Sequence, residues 1–243
     1  TIEFEQMEHQ WFCKEGTDQE YYAEYKKRAW QFLLDLGFKE EHLRFHDHDK
    51  LAHYAKAACD IQYDFPMGWS ELNGIHNRTD YDLSRHQEYS GKSMTYVDPV
   101  TQERYIPYVI EYSIGADRLM LATLSEAYDE ETLENGEVRN VMRFHPAIAA
   151  YKAAVLPLQK GLAPQAKELL QKLKKHFLVT YDEAGSIGKR YRRQDEIGTP
   201  YCLTVDFDTL QDGTVTVRDR DTMEQVRMTA DEVVAFLAEK CAF

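Results

Sequence analysis

Residues 109–118, VIEYSIGADR, decide the architecture of the surrounding chain, because an apolar strand passes here directly into a helix. Alternation along the strand places Glu111 and Ser113 on one face. Gly115 at the junction permits close backbone approach to a ligand. Arg118, beside the positive N-terminus of the helix, suits a polyphosphate. A carboxylate, a small hydroxyl and an arginine in this order are hard to explain by packing alone, so the stretch indicates a ligand site.

The residues before this motif predict a mostly antiparallel sheet closed by helices, an α+β fold. A capping box at Thr17 and Glu20 predicts the start of the first helix. The predicted elements are a strand over residues 1–14, helices over 17–37 and 50–58, strands over 59–65 and 69–75 around a turn at 66–68, a polar hairpin over 84–103, a strand over 104–113 and a helix over 115–128.

The stretch 129–145, rich in Glu, Asn and Gly, predicts a domain boundary, and we place it after residue 147. Strands are predicted over 153–158, 178–182, 201–207 and 214–219, and helices over 163–176, 187–197 and 230–241. Thr229 and Glu232 form a second capping box. Strands that alternate with helices predict a small α/β domain with a mainly parallel sheet over residues 148–243.

Composition excludes several classes of protein. The 243 residues are 43% hydrophobic and 29% charged, which is typical of a globular chain of one large or two moderate domains. No apolar run approaches the ~18 residues of a transmembrane helix, so no membrane partner is expected. The N-terminus has no signal-peptide pattern, lacks a starting Met and opens inside a predicted strand. We therefore expect a piece cut from a longer protein.

Charge and cysteine usage add two expectations. The net charge of −13 argues against nucleic-acid binding through the whole surface but permits a local basic patch. The four cysteines lie far apart without a CxxC spacing, which disfavours a zinc site. Reduced thiols of this kind are typical of a cytoplasmic protein.

Two further stretches are candidate sites. In residues 4–8, alternation puts Phe4, Gln6 and Glu8 on one face, where they could stack a flat ring and hold an ammonium group; a half-buried strand with polar edge residues is the alternative. In residues 69–82, Glu71 could face a metal–phosphate complex and Arg78 could pair with a carboxylate. A surface ion-pair network is the alternative here.

Basic residues concentrate at Lys189, Arg190, Arg192 and Arg193. On a helix, positions 189, 192 and 193 share a face, which favours a phosphate-binding patch over a merely solvated helix. The segment 218–225, RDRDTMEQ, is interpreted equally well as a solvated strand edge or as a base-reading surface.

The run His46-Asp47-His48-Asp49 invites a metal interpretation. Adjacent residues rarely point at one ion, however, and no cysteine or further histidine is suitably spaced. We expect the N-cap of a helix here.

Two of these motifs resemble those of class II aminoacyl-tRNA synthetases. The FxxxE strand of residues 4–8 resembles the second half of motif 2, and the strand–helix turn at Gly115–Arg118 resembles motif 3. The strings EFEQME, SELNGIHNRTDYDL, VIEYSIGADR, GSIGKRYRRQDEIGTP and TVTVRDRDTMEQ are similar to glycyl-tRNA synthetases of the homodimeric type, in the same order. The resemblance implies a partial catalytic domain over residues 1–147, with an incomplete class II sheet, and an anticodon-binding domain over residues 148–243.

The resemblance also assigns residues to ligands. The ATP contacts that it implies are Phe4 on the adenine, Glu71, Leu72, Gly115, Ala116, Asp117 and Arg118. The glycine contacts are Phe4, Gln6, Glu8, Arg78, Glu111 and Ser113. Arg118 on the terminal phosphate and Glu71 on Mg²⁺ carry the catalytic roles, and Lys189, Arg190, Arg192 and Arg193 face the tRNA. The implied cofactor is ATP with Mg²⁺, without zinc, and the implied partners are glycine and its tRNA.

The implied reaction has two steps. The carboxylate of glycine attacks the α-phosphorus of ATP, and the 3′-terminal adenosine of the tRNA then takes the glycyl group from the adenylate. In this family the arginine of motif 2 and the dimer-forming motif 1 precede the residues matched here. The resemblance therefore implies a homodimeric complete enzyme and little activity of this chain alone.

Two other interpretations compete with that of a glycine enzyme: an accessory paralogue and a synthetase for another amino acid. A non-catalytic accessory paralogue predicts erosion of the ATP and amino-acid residues, yet Phe4, Glu71, Glu111, Ser113 and Arg118 are all present. A synthetase for threonine, proline or histidine predicts a different pocket, and no ligands suit the zinc site of the threonine enzyme. The glycine interpretation is therefore favoured.

Overall fold

The computed structural model describes residues 2–243. The chain divides into two units, Thr1–Ser125 and Glu126–Phe243. The first contains β1 (Gln6–Cys13), α1 (Asp18–Asp35), β2 (Leu43–Asp47), β3 (Ala57–Phe65), β4 (Gly68–Asn77), α2 (Tyr81–Ser90), β5 (Tyr96–Val97), β6 (Arg104–Tyr105), β7 (Tyr108–Gly115) and most of α3 (Ala116–Ala127). Thr1, included in the predicted first strand, lies outside the described residues.

Five strands of the first unit form one antiparallel sheet in the order β1-β7-β4-β3-β2. Alternation along β7 buries Ile110 and Ile114 on the face that packs against α1, where Leu33 is fully buried. The opposite face carries Glu111 and Ser113. The α+β fold predicted from the sequence is therefore confirmed for this unit.

A buried aspartate, rather than the predicted capping box, fixes the start of α1. The Thr17 hydroxyl donates to the Lys14 carbonyl at 2.8 Å and makes no cap bond to the helix. Asp18 is fully buried and accepts hydrogen bonds from Lys56 at 2.8 Å and Asn77 at 2.7 Å. Burial raises the pKa of Asp18, but these donors outweigh it and the net pKa is lowered. The anionic side chain thus ties the helix to β4.

Three local predictions in this unit are wrong. His46 and Asp47 belong to β2 instead of a helix N-cap, because they pair with Asp60 and Cys59 of β3. No helix forms over residues 50–58, since Ala57 and Ala58 enter β3. Within 84–103, the helix α2 extends to Ser90, and the hairpin is limited to β5 and β6. In the first two cases, pairing with a distant strand overrides the local pattern.

The second unit begins with a hairpin where the sequence predicts a boundary. Its elements are β8 (Tyr128–Thr132), β9 (Val138–Met142), β10 (Ala153–Pro157), α4 (Ala163–Leu173), β11 (Val179–Tyr181), α5 (Ile187–Glu196), β12 (Tyr201–Val205), α6 (Thr209–Asp212), β13 (Thr214–Asp219), β14 (Gln225–Thr229) and α7 (Ala230–Lys240). The Thr229–Glu232 capping box is confirmed at the start of α7.

The sheet of the second unit is mixed, in the order β11-β10-β12-β13-β14. Strands β11, β10 and β12 are parallel, whereas β13 and β14 pair antiparallel. The prediction of a mainly parallel sheet is therefore wrong for the part of the sheet that β13 and β14 form. The short segments before β13 and β14 cannot provide the crossover that a parallel pair requires. Among residues 2–243, no helix combines the length and apolarity that a membrane crossing demands.

A buried ion-pair network holds the hairpin within the second unit. Asp195 is fully buried and accepts two hydrogen bonds from Arg218, at 2.9 and 3.2 Å. Arg139 of β9, also fully buried, lies 3.5 Å from Asp195 and 2.9 Å from Glu131. Its Nη2 also donates to the Arg220 carbonyl at 3.0 Å. The network explains why residues 129–142 belong to this unit instead of forming a linker.

Asp195→Asn is expected to lower the free energy of unfolding of the second unit by about 3–5 kcal/mol, because it leaves buried arginine charge uncompensated. Amide hydrogen exchange in β10 and β12 measures this loss. The matched control is Asp231→Asn, since Asp231 is 90% exposed and its pair with Lys172 is worth about 0–1 kcal/mol. Equal effects of the two substitutions would contradict this account of the network.

Candidate functional site

Glu111 is a buried carboxylate at the centre of the polar sheet face. Its Oε1 accepts a hydrogen bond from Arg78 at 3.1 Å, and its Oε2 accepts one from Gln10 at 3.2 Å. Arg78 also donates to Asp82, with 2.7 Å between Nε and Oδ2. The hydrogen bond with Asp82 raises the pKa of Arg78. Burial lowers this pKa, and the charge of Glu111 raises it further. The guanidinium therefore stays charged between two carboxylates.

A cavity of about 340 Å³ opens beside this cluster. Glu8, Gln10 and Phe12 of β1 line one side, and Glu111 lines it from β7. Val109 also lines it from β7, and Arg78, Asp82, Leu83 and His86 complete the lining from α2 and the turn before it. Carboxylates at the base of a small cavity suit a small ligand that carries an ammonium group.

Glu8, Ser113 and Gly74 form one row across three strands. Glu8 pairs with Ser113 between β1 and β7, and Ser113 pairs with Gly74 between β7 and β4. A Cβ on Gly74 would lie 2.7 Å from Cε1 of His76 and 3.5 Å from Oγ of Ser113. The imidazole therefore occupies the space that a side chain at position 74 would fill.

Gly74→Ala is expected to displace His76 and to narrow the space next to Ser113. We expect a loss of about 1–3 kcal/mol in the free energy of unfolding, the usual cost of overpacking. We also expect weaker binding of any ligand seated on this row. Chemical denaturation with tryptophan fluorescence measures the stability. Gly161→Ala is the control, because a Cβ at position 161 meets nothing within 4 Å.

Arg118 and Glu71 form a second polar cluster where β7 ends. Nη1 of Arg118 donates to the Glu71 carbonyl and lies 3.8 Å from the Glu71 carboxylate. Both side chains are about half exposed. Gly115, two residues beyond Ser113, ends β7 before α3. A single strand therefore carries the first cluster along its length and the second at its end.

The other residues predicted for the site are divided between surface and core. Phe4, Gln6 and Glu8 are exposed, and Gln6 pairs with Gly115. Ala116 and Asp117 lie in the first turn of α3. Leu72 is 1% exposed and packs in the hydrophobic core, so only its backbone can face a ligand.

Four residues near Glu111 were missed at the sequence level: Gln10, Gly74, His76 and Asp82. Two signals were available. Gln10 continues the alternation of Gln6 and Glu8 by one step, and Asp82 lies four residues after Arg78, at helical spacing. His76 and Gly74 reach the site only through the pairing of β4 with β7, which no local pattern reveals.

In the second unit, one of the four residues predicted to form a basic patch, Arg190, does not lie on the surface. Arg190 is buried and donates to the carbonyls of Pro157 and Gly185, so its charge does not face solvent. Arg193 donates to Asp182 at 2.9 Å, and Arg192 lies 3.8 Å from Asp195. Lys189 is exposed. The prediction of a four-residue patch is therefore wrong for Arg190, because the inward face of α5 binds the end of β10.

The segment 218–225 follows neither of its two interpretations throughout. Arg218 and Arg220 are buried, at 4% and 2% exposure. Arg220 donates to the carbonyls of Gly198 and Phe144, each at 2.9 Å. The side chains of these two arginines therefore lie in the interior of the unit and not on its surface.

Comparison with known proteins first identifies the class. Residues 152–240 match the family model described as an anticodon binding domain. The crystal structure of the RNA binding domain of threonyl-tRNA synthetase from Cryptosporidium parvum Iowa II is similar, with a TM-score of 0.70 over 98% of this chain and 64% of that chain. At 18% identity, this likeness shows the fold alone. The fold is thus similar to that of a tRNA-synthetase RNA-binding domain.

The particular relatives are glycine–tRNA ligases. The chain is 60% identical to those of Clostridium kluyveri and Geobacillus kaustophilus and 59% identical to that of Clostridium perfringens, in each case over its whole length. It covers 53% of each, so it spans about half the length of the curated relatives it matches. The chain is homologous to the C-terminal part of these enzymes, and the resemblance to glycyl-tRNA synthetases is confirmed.

Proposed function

We propose that this chain binds glycine, ATP and tRNA in an enzyme that attaches glycine to its tRNA through glycyl-adenylate. The observation that carries the proposal is Glu111, a buried carboxylate held by Arg78 and Gln10 beside a small cavity. The 56–60% identity to glycine–tRNA ligases agrees with this chemistry.

Glycine recognition follows from the charges of the first cluster. The ammonium group binds to Glu111 and Ser113, with Glu8 and Gln6 at the open side and Phe4 covering the pocket. Arg78 orients Glu111 through its hydrogen bond. A larger amino acid would push its side chain toward the row of Ser113 and Gly74, where His76 fills the space. A larger amino acid is thus excluded by steric contact and by the polar groups of the pocket that it would leave without hydrogen-bond partners, which favours glycine.

ATP is placed over the second cluster in this proposal. Phe4 stacks on the adenine, Arg118 pairs with the terminal phosphate, and the backbone of Leu72 and of Gly115–Asp117 approaches the nucleotide. Glu71 presents a half-exposed carboxylate, the hard oxygen ligand that suits the Mg²⁺ of a nucleotide. Mg²⁺ held by Glu71 would neutralise phosphate charge, and Arg118 aligns the phosphates.

The chemistry then requires positioning above all. A carboxylate oxygen of glycine forms a bond to the α-phosphorus, and the bond from that phosphorus to pyrophosphate breaks. A ribose hydroxyl of the terminal adenosine of tRNA next attacks the glycyl carbonyl, and the bond from that carbonyl to the phosphate oxygen of AMP breaks. The hydroxyl proton passes to the phosphate of the departing AMP. Glu111 and Arg118 hold the two ends of the reacting pair in line, which removes the entropic cost of their encounter.

The second unit supplies the tRNA contacts in this proposal. We assign residues 148–243, the part of the second unit that follows the β8–β9 hairpin, to anticodon binding, and residues 1–147 to the catalytic domain. Lys189, Arg192 and Arg193 share one face of α5 and give it positive charge next to phosphates. The proposal includes a homodimer and a cytoplasmic location, and the unpaired thiols of the cysteines support the latter.

Exchange of labelled pyrophosphate into ATP by the protein that carries this chain tests the first step. The proposal expects exchange that depends on glycine and fails with alanine or threonine. Exchange driven equally well by threonine would overturn the assignment of the pocket to glycine.

A further inference from the structure

His76 lies in the middle of the polar sheet face with one buried atom unsatisfied. Its Nδ1 has no hydrogen-bond partner among the described residues. The carboxylate oxygen Oε1 of Glu111 lies 3.7 Å from this nitrogen. Because β4 pairs with β7, His76 is directly opposite Glu111 in the ladder. A buried polar atom that faces a functional carboxylate without bonding to it calls for an explanation.

Charged groups surround His76 from each neighbouring segment. Glu111 faces it from β7, Asp60 from β3, His48 from the residues after β2, and Arg78 from the turn after β4. Asp60 lies 2.8 Å from Nε2 of His48. Burial lowers the pKa of His76, and the nearby carboxylates only partly oppose this effect. The ring is therefore neutral near pH 7 and has one N–H to donate.

Electrostatics place that proton on Nδ1. A lone pair on Nδ1 would face the lone pairs of the Glu111 carboxylate, whereas an N–H at the same position is attracted to them. The separation of 3.7 Å exceeds the ~3.0 Å of a formed hydrogen bond. Hydrogen bonds in unliganded sites are often long and shorten when the ligand binds.

We propose that neutral His76 is a positioning residue for Glu111, whose carboxylate it binds through Nδ1–H while that carboxylate holds the ammonium group of the substrate. The inference rests on the proposed function, since this ammonium belongs to glycine or glycyl-adenylate. Protonation of the ring adds a further cation beside Glu111, next to Arg78, and this cation competes with the ammonium group. Affinity therefore falls as the pH drops through the pKa of His76, below its ordinary value of ~6.5.

Three substitutions of the full chain separate positioning from packing. Asn at position 76 keeps an amide N–H near the place of Nδ1 and does not titrate, Gln places its amide near Nε2, and Ala has neither. The probe is a non-hydrolysable glycyl-adenylate analogue, titrated calorimetrically between about pH 5 and pH 8.

We expect His76→Ala and His76→Gln to weaken binding about tenfold or more, the usual effect of losing a hydrogen bond to a charged group. We expect His76→Asn to remain within about threefold of the wild type and to lose the decline in affinity at acidic pH. Equal losses in all three variants, or an acidic decline retained in His76→Asn, would overturn the positioning role.

A measurement without ligand distinguishes this inference from the proposed function. Titration of the His76 ring by NMR is expected to show a lower pKa in Glu111→Gln than in the wild type, because the substitution removes the facing charge. An unchanged His76 titration overturns the positioning role even if the analogue binds. Failure of the protein that carries this chain to bind the analogue at any pH overturns the proposed function, and with it the ammonium ligand, even if the two residues are coupled.

Discussion

Replacing Arg118 by alanine is expected to lower kcat/KM of glycine-dependent pyrophosphate exchange by about 10²–10³-fold, the usual effect of removing one preorganised group that stabilises developing charge. Arg118 lies at the start of α3, half exposed, and its guanidinium bonds to the Glu71 carbonyl beside the Glu71 carboxylate. The substitution removes the positive charge that the proposal places on the terminal phosphate. The loss should appear mainly in the ATP dependence, since the glycine cluster is left intact.

Two variants control this prediction. Arg118→Lys retains the charge but loses the planar fork, so an intermediate rate is expected. Arg85→Ala removes an exposed arginine of α2 whose partner, Glu88, lies at 2.6 Å, and the rate should not change. Normal exchange by Arg118→Ala would show that another group binds the phosphates.

Replacing Glu111 by glutamine is expected to raise KM for glycine by about 10- to 100-fold, because a buried charge that binds the substrate ammonium is lost. Glutamine preserves the shape of the side chain, so the effect reports charge more than packing. Arg78 retains Asp82 as a partner, which limits the structural consequence. Steady-state exchange at varied glycine concentrations measures the change, and thermal unfolding verifies that the variant is folded.

The control for Glu111→Gln is Glu103→Gln. Glu103 forms an ion pair with Lys14 at 2.7 Å, and both side chains are about half exposed. Its substitution should leave KM for glycine unchanged, because exposed pairs contribute little and this one lies outside the cavity. An unaltered KM in Glu111→Gln would refute the assignment of Glu111 to the ammonium group.

Local sequence patterns predicted the elements on which the site depends. The strand from Tyr108 to Gly115, the helix that follows and the hairpin of β3 and β4 all carry clear signals of alternation, turn and helix start. Glu111 and Ser113 follow from the period of two along the strand. The placement of the Glu111 carboxylate and the Ser113 hydroxyl on one face of the strand could therefore be predicted from the sequence.

Long-range pairing explains what local patterns did not predict. His46 and Asp47 lie in a strand because β3 pairs with them. Asp195 meets Arg139 from 56 residues away, and no short-range signal indicates such a partner. Leu72 was assigned to ATP by the family resemblance and Arg190 to the tRNA as part of a basic run, yet both side chains are buried. Burial depends on the whole fold, so residue type and spacing alone do not determine it.

The central claim is that this chain has a pocket that selects the glycyl group of an adenylate. Calorimetric titration of the wild-type chain with a non-hydrolysable glycyl-adenylate analogue and with the matched alanyl analogue tests it most directly. Clearly tighter binding of the glycyl analogue is expected, because the proposal places the added methyl group of the alanyl analogue against the row of Ser113, Gly74 and His76. Equal affinity for the two analogues, in a chain shown to be folded, would contradict it.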